Sequence, residues 1–322
     1  MTAFVTGGGG FIGRRLVRRL RAADMPVRAL ARSDASAASA REAGCDVVIG
    51  DALDGGMLER AMDGCDVVYH VAGDYRVGIR DSMRAVMEAA NVTATERVLD
   101  AAIAAGVGRI VHVSTINAFG DTGYRVVDER YERPVPYRYV SFYDETKHRS
   151  HLAAEARMSG EAPFLIAMPG QVYGPGDHTS LGSVLEQAAH GRLPTLTFGD
   201  LGLNMAHVED IADGIALVGE RGTPGQSYVL GGEITTMGEL VRRVAAIGHR
   251  RPPRLSTPTW ALRAAAPLVR RIGPDLGEIV RAGAGVTYWA SDAKARRELG
   301  YAPRDLESGL TEVFGEGGQR RS

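Results

Sequence analysis

The chain has 322 residues, 44% hydrophobic and 24% charged, enough for one sizeable core or two closely packed ones. Its 38 basic and 39 acidic residues leave a net charge of -1, which gives no electrostatic footprint for nucleic acid or an anionic membrane surface. Two cysteines, Cys45 and Cys65, exclude a disulfide framework. With no basic, apolar leader and no apolar run of about 18 residues, the expectation is a soluble cytoplasmic protein.

In chain order, short β-branched runs alternate with longer helical patterns. This is the sequence signature of an α/β fold, a doubly wound parallel sheet of the Rossmann type. Strands are predicted at 3–6, 27–31, 46–49, 67–71, 109–113 and 164–168, and helices at 11–23, 82–105 and 143–158. Gly106 ends the second helix as a glycine C-cap would. After Pro169, glycine and proline become frequent and the alternation is lost. The expected division is therefore a dinucleotide-binding domain over 1–172, to which 206–231 returns, and a smaller substrate domain over 173–322. The segment 260–272 reads as an arginine-bearing apolar helix that caps a substrate pocket, and 315–322 as a frayed tail.

The first strand runs into Thr6-Gly7-Gly8-Gly9-Gly10-Phe11-Ile12-Gly13 and then a helix. Gly7, Gly10 and Gly13 permit a tight turn, close approach of backbone to a pyrophosphate, and close helix–sheet packing, while the helix N-terminus supplies free N–H groups. Among 41 glycines this spacing arises by chance about once per chain, so the flanking strand and helix carry the argument. Phe11 and Ile12 complete the turn. The second strand ends in Ala31-Arg32-Ser33, where a site for NAD would place a carboxylate on the ribose hydroxyls. A guanidinium and a hydroxyl there favour the 2′-phosphate of NADP(H) instead.

Tyr143-Asp144-Glu145-Thr146-Lys147 sets a phenol and an ammonium on one helix face. Only two of the 38 basic residues are lysine, Lys147 and Lys294, and with 11 tyrosines a chance Tyr-x-x-x-Lys has an expected count of about 0.07. A compact ammonium beside the phenol lowers its pKa and prepares it for proton transfer. At the carboxyl end of the strand over 109–113, the edge where open α/β sheets bind ligands, stand Ser114 and Thr115. One of these hydroxyls can orient a carbonyl oxygen.

Together these residues resemble the extended short-chain dehydrogenase/reductases, the NAD-dependent epimerase/dehydratase family, over nearly the whole chain. The resemblance implies that Thr6–Gly13 bind the pyrophosphate, that Asp51 and Ala52 meet the adenine, and that Val71-Ala72-Gly73 border the nicotinamide ribose. It also implies that Pro169 and Val172 lie against the cofactor, and that Thr115, five residues before Gly120, is the catalytic hydroxyl beside Tyr143 and Lys147. Met168 replaces that family's arginine, and Asn91-Val92-Thr93-Ala94-Thr95 resembles its NVxGT segment with alanine for glycine. Stretches around His70–Arg76, 202–210 and 228–233 resemble the dihydroflavonol 4-reductase-like branch.

The expected activity is hydride transfer between NADP(H) and a ketone or aldehyde of a small organic substrate, with Tyr143 as proton donor. A nucleotide-sugar epimerase or dehydratase is the alternative. Ile116-Asn117 stand where dehydratases carry an Asp-Glu pair, and Leu203 where many carry an arginine for the diphosphate. A non-catalytic NADP(H)-binding regulator is a third reading, set against by the retention of both Tyr143 and Lys147. No metal site is expected: His148, His151 and Glu155 share a helix face but have no further ligands near them in sequence. A homodimer through the helices at 82–105 and 143–158 is what the resemblance implies.

Overall fold

The structure is a computed structural model and describes residues 1–158 and 163–315, apart from the side chains of Arg270, Ile272 and Pro274. Segment 316–322, expected to fray, lies outside the described residues. The first half alternates as β1 (Ala3–Thr6), α1 (Gly13–Ala22), β2 (Val27–Ala31), α2 (Asp34–Glu42), β3 (Asp46–Ile49), α3 (Gly55–Met62) and β4 (Val67–His70). It continues through α4 (Arg84–Glu88), α5 (Ala94–Ala104), β5 (Arg109–Val113), α6 (Phe142–Met158) and β6 (Phe164–Pro169). The second half holds β7 (Gln171–Tyr173), α7 (Ser180–Ala189), β8 (Thr195–Leu196), β9 (Gly202–His207), α8 (Val208–Arg221), β10 (Gln226–Leu230) and β11 (Glu233–Thr236). It closes with α9 (Met237–Ile247), β12 (Leu255–Ser256), α10 (Thr259–Ile272), α11 (Pro274–Gly283), α12 (Ala293–Leu299) and α13 (Leu306–Phe314).

Seven strands form one parallel sheet in the order β10-β6-β5-β4-β1-β2-β3. The inner strands β1, β4, β5 and β6 are buried on both faces, as enclosure between two helix layers demands, while the edge strand β3 is partly exposed. Phe4, Val68, Ile110 and Ile166 face a core with Leu58 and Met62 of α3 and Val98 and Leu99 of α5. Their neighbours Val5, Tyr69, Val111 and Leu165 face a second core, with Leu16 and Leu20 of α1, Ile211 and Ile215 of α8, and Leu299 of α12. The strand order reverses beside β1, opening a crevice at the carboxyl ends of β1 and β4.

The later strands β11, β9 and β7 make a small mixed sheet that shares a third core with α7, α9 and α13. The chain returns to the large sheet at α8 and β10 and again at α12, which packs on α8 and β10. The helix expected over 82–105 is interrupted: a π turn at Ala89–Thr93 separates α4 from α5. The amphipathic pattern does not encode that extra residue, because a single wide turn leaves the apolar spacing on either side nearly unchanged.

Candidate active site

The glycine turn has the shape its spacing suggests. Gly7 adopts φ +71°, and a Cβ there would lie 2.8 Å from the Ala72 backbone. A Cβ on Gly13 would collide with the Gly7 carbonyl, so the start of α1 seats directly on the turn. No acidic residue occupies the first turn of α1, and its N-terminus carries no side-chain cap. Phe11 and Ile12 are half-buried beside it. Arg15, in the first turn of α1, is 4% exposed. It donates to Phe11 O (2.8 Å), Pro175 O (2.5 Å) and Glu209 Oε1 (2.9 Å), tying the turn to the second half of the chain.

Below the turn, Thr6 Oγ1 and His70 Nδ1 are 2.7 Å apart, and Thr6 Oγ1 accepts from Ala72 N at 3.3 Å. Burial pushes the His70 imidazole down to about 3, so it is a neutral relay between Thr6 and Thr95. Val71, Ala72 and Gly73 leave β4 into the crevice, and the following Asp74 is held at both backbone groups by Asn91: Asp74 N donates to Asn91 Oδ1 (2.7 Å), and Asn91 Nδ2 donates to Asp74 O (3.0 Å). Asn91 sits in the π turn, and its Nδ2 also donates to Thr146 Oγ1 on α6 (3.0 Å). Neither His70 nor Asn91 emerged as a supporting residue from spacing alone; position in the motif was the available signal.

At the end of β2, Arg32 and Ser33 are exposed. Ser33 caps α2, its Oγ accepting from Ser36 N, whereas Arg32 makes no hydrogen bond or ion pair among the described residues. Asp51 is exposed after β3, one oxygen accepting from Leu53 N at 3.0 Å, and Ala52 is buried behind it. Pro169 is buried at the end of β6, and Val172 is half-buried on β7.

Tyr143 and Lys147 lie in the first turns of α6, both buried at 8% and 7% exposure. Ser141 caps this helix, its Oγ accepting from Asp144 N. Tyr143 packs with Ile79 and Met87, and the Tyr75 ring meets it edge-on with centroids 4.8 Å apart. Burial, with Tyr75 and Asp144 adding to it, raises the Tyr143 phenol above its ordinary value, while a hydrogen bond to Thr115 works the other way. This direction is opposite to the depression expected from the ammonium. Lys147 Nζ points to Val113 O (3.5 Å), and burial lowers its own pKa to about 8.

Thr115 and Ser114 diverge. Ser114 Oγ lies 3.0 Å from His151 Nδ1, one turn of α6 beyond Lys147, with His151 in turn bridging to Glu155 at 3.2 Å. Thr115 instead starts a 3-10 turn, its Oγ1 accepting from Asn117 N (3.2 Å) and within donating distance of Asn117 Oδ1 and Pro169 O. Asp144, directly after Tyr143, forms a buried two-pronged pair with Arg133, both contacts 2.7 Å. Arg133 lies so close to Gly120 (φ +74°) that a Cβ there would meet its Cζ at 2.7 Å. One ion pair thus steadies both the Thr115–Gly120 loop and the start of the Tyr143 helix.

Among the described residues no group of three or more His, Cys, Asp or Glu is placed to hold a metal, and no helix is long and apolar enough to cross a membrane.

A glycine-rich turn at the switch point of a parallel sheet, together with a Tyr–Lys helix, is the arrangement of a dinucleotide-dependent oxidoreductase. The chain belongs to the NAD-dependent epimerase/dehydratase family, whose model matches residues 3–231. It is 32% identical over 94% of its length, and 92% of the relative's, to a 4-hydroxy-2-methyl-3-oxo-4-farnesyl-3,4-dihydroquinoline-1-oxide ketoreductase of Stigmatella aurantiaca. A Synechocystis protein to which dihydroflavonol 4-reductase activity has been ascribed is 29% identical, over 96% of this chain and 92% of that one. Among solved structures, the dTDP-glucose 4,6-dehydratase DesIV of Streptomyces venezuelae, bound to NAD and TYD, superposes with a TM-score of 0.78 at 27% identity, covering 98% and 96% of the two chains.

Proposed function

We propose that the chain is an NADP(H)-dependent carbonyl reductase acting on a small, largely apolar ketone or aldehyde, the same site running backwards as an alcohol dehydrogenase. The observation that carries this reading is the buried Tyr143 phenol, four residues before the buried Lys147 on α6, at the edge of the crevice where Thr115 follows β5. A phenol held protonated at neutral pH is a proton donor.

The residues fit a dinucleotide. The Gly7 cradle admits no side chain, the first turn of α1 carries no acidic residue, and Arg32 has no hydrogen-bond or ion-pair partner among the described residues. Gly7, Gly10, Phe11, Ile12 and Gly13 would hold the pyrophosphate, Arg32 and Ser33 the 2′-phosphate, Asp51 and Ala52 the adenine, and Val71–Gly73, Pro169 and Val172 the nicotinamide end. The cofactor supplies or takes the hydride. Thr115 orients the carbonyl oxygen, Tyr143 gives it a proton, and Lys147 stabilises the phenolate left behind and binds the ribose. Tyr75, Ile79 and Phe142 make the wall beside the phenol apolar, in keeping with a relative named for a farnesylated ketone.

The likeness to a sugar-nucleotide dehydratase supports a second reading, epimerisation or dehydration of a nucleotide sugar. Ile116 and Asn117 after Thr115 offer no proton relay, and Leu203 is packed in the third core, where it can bind no diphosphate.

The test is NADPH consumption over a panel of apolar ketones, aldehydes and nucleotide sugars, with NADPH and NADH titrated into wild type and Arg32→Ala. Reduction of a ketone is expected, with a ten- to hundredfold loss of NADPH affinity in the variant and little change for NADH. Turnover of a nucleotide sugar alone would promote the second reading, and equal affinity for both cofactors in both proteins would remove the Arg32 assignment.

A further inference from the structure

Glu278, within α11, is a buried carboxylate far from the catalytic segment in sequence, with a side chain 2% exposed. Its Oε1 accepts from Phe142 N at 3.1 Å and Gly78 N at 3.3 Å, bonds that span 136 and 200 residues. Its Oε2 lies 3.9 Å from Arg84, whose guanidinium stacks over the Phe142 ring at 5.1 Å.

Each partner touches the reacting region. Phe142 N is the first N–H of α6, immediately before Tyr143, and a helix N-terminus has both unsatisfied donors and a partial positive charge to offer a carboxylate. Gly78 belongs to the loop carrying Tyr75, whose ring abuts Tyr143. Gly78 adopts φ +74°, and a Cβ on it would fall 2.5 Å from Ile279 Cγ1, so loop and α11 are in direct contact. An apolar side chain of similar volume would fill this place with less desolvation. What the carboxylate adds is the joining, at a single oxygen, of the N–H of the loop that carries Tyr75 to the N–H that opens the Tyr143 helix.

We propose that Glu278 is a positioning residue for catalysis: it clasps the α10–α11 hairpin to both Tyr75 and Tyr143, so that the seating of this hairpin aligns the phenol with the substrate carbonyl. This rests on the role proposed for Tyr143. The effect should therefore appear in turnover, while the pyrophosphate and adenosine end of the proposed cofactor site, at β1, α1 and β2, is untouched and carries most of the NADPH affinity.

The experiment compares Glu278→Ala, Glu278→Gln and Gly78→Ala by kcat, KM for the ketone, Kd for NADPH and amide exchange. Glu278→Ala should lower kcat/KM ten- to a hundredfold and leave Kd for NADPH within about twofold. Glu278→Gln, whose amide oxygen still accepts both N–H groups, should recover activity to within about fivefold of wild type. A folded Glu278→Ala protein with wild-type kcat and KM would reduce the residue to a structural one and overturn the proposal. If Glu278→Ala does not fold, Gly78→Ala, which pushes the loop off Ile279, carries the same expectation and the same risk. If wild type reduces no carbonyl, the function above fails separately, and exchange in the NADPH-saturated protein decides. Loop 74–80, the first turn of α6 and the hairpin should then loosen together in Glu278→Ala, and loosening confined to Gly78 and Phe142 would count against the clasp.

Discussion

The proposed cofactor side and the proposed substrate side of the crevice are built in different ways. On the cofactor side the contacts offered are mostly main chain: the turn at 7–13, the N-terminus of α1 and the loop at 71–73 are each contiguous in sequence. On the substrate side, side chains from distant segments converge. Glu278 meets Gly78 and Phe142, Thr122 Oγ1 lies 3.0 Å from Thr287 Oγ1, and buried Asn204 donates to Ala290 O and accepts from Gly232 N. A site made from local backbone tolerates change in its surroundings, whereas one made from long-range side-chain contacts can be retuned one residue at a time.

The sharpest test of this contrast is Tyr143→Phe, which removes one oxygen on the substrate side. Turnover is expected to fall about 10²–10⁴-fold while Kd for NADPH stays near wild type. A variant with near wild-type kcat would break the assignment of the proton donor, and one that loses cofactor binding would break the separation of the two sides.

Next in size is the pair at the end of β5. Thr115→Ala should cost about 10²–10³ in kcat, as loss of one preorganised donor does, and Ser114→Ala far less, because its hydroxyl is turned to His151. A Ser114→Ala enzyme more impaired than Thr115→Ala would move the assignment by one residue.

The smallest expected effect concerns Lys147, where the two sides meet. Its pKa is lowered from 10.5 to about 8 by burial, so folding disfavours the ammonium. The unfolded chain then binds more protons between pH 8 and 10.5, and the lysine's contribution to stability rises with pH across that window. In the cofactor-free protein, Lys147→Met should raise stability at pH 7 by on the order of 1–2 kcal/mol. The gain should shrink as pH climbs from 8 to 10, measured by urea unfolding. A Lys147→Met protein destabilised equally at pH 7 and pH 10 would show that the ammonium is not held at a cost.

The same contrast governs how much was legible beforehand. The parallel sheet, its strands within a residue or two and the α1 and α6 helices follow from apolar runs and helical spacing, which are local signals. So does the proximity of Tyr143 to Lys147, four residues apart on α6. The seventh strand, β10, was visible only as a stretch returning toward the sheet. Less local features were hidden. The burial of Arg15 depends on Pro175 and Glu209, the π turn around Asn91 on a loop it pins, and the raised phenol pKa on apolar neighbours brought from Ile79 and Met87. The segment at 260–272 was expected to cap the pocket. It forms a helix, but the side chain that reaches the catalytic segment comes from α11, and Trp260 and Leu268 on α10 are left 74% and 63% exposed.

The order of strands in the large sheet bears on what happens if synthesis stops early. A chain ending after Tyr173 would present β6 as a bare edge, because β10, its outer neighbour, begins only at Gln226. It would also lack α8 and α12, leaving Val111 and Leu165 uncovered on one face. An unpaired, flat, apolar strand edge is a template for pairing with another such chain. The first half of the chain therefore keeps an open edge and an uncovered face until about 130 further residues, through α12, have been made, which is where a truncated chain is expected to aggregate.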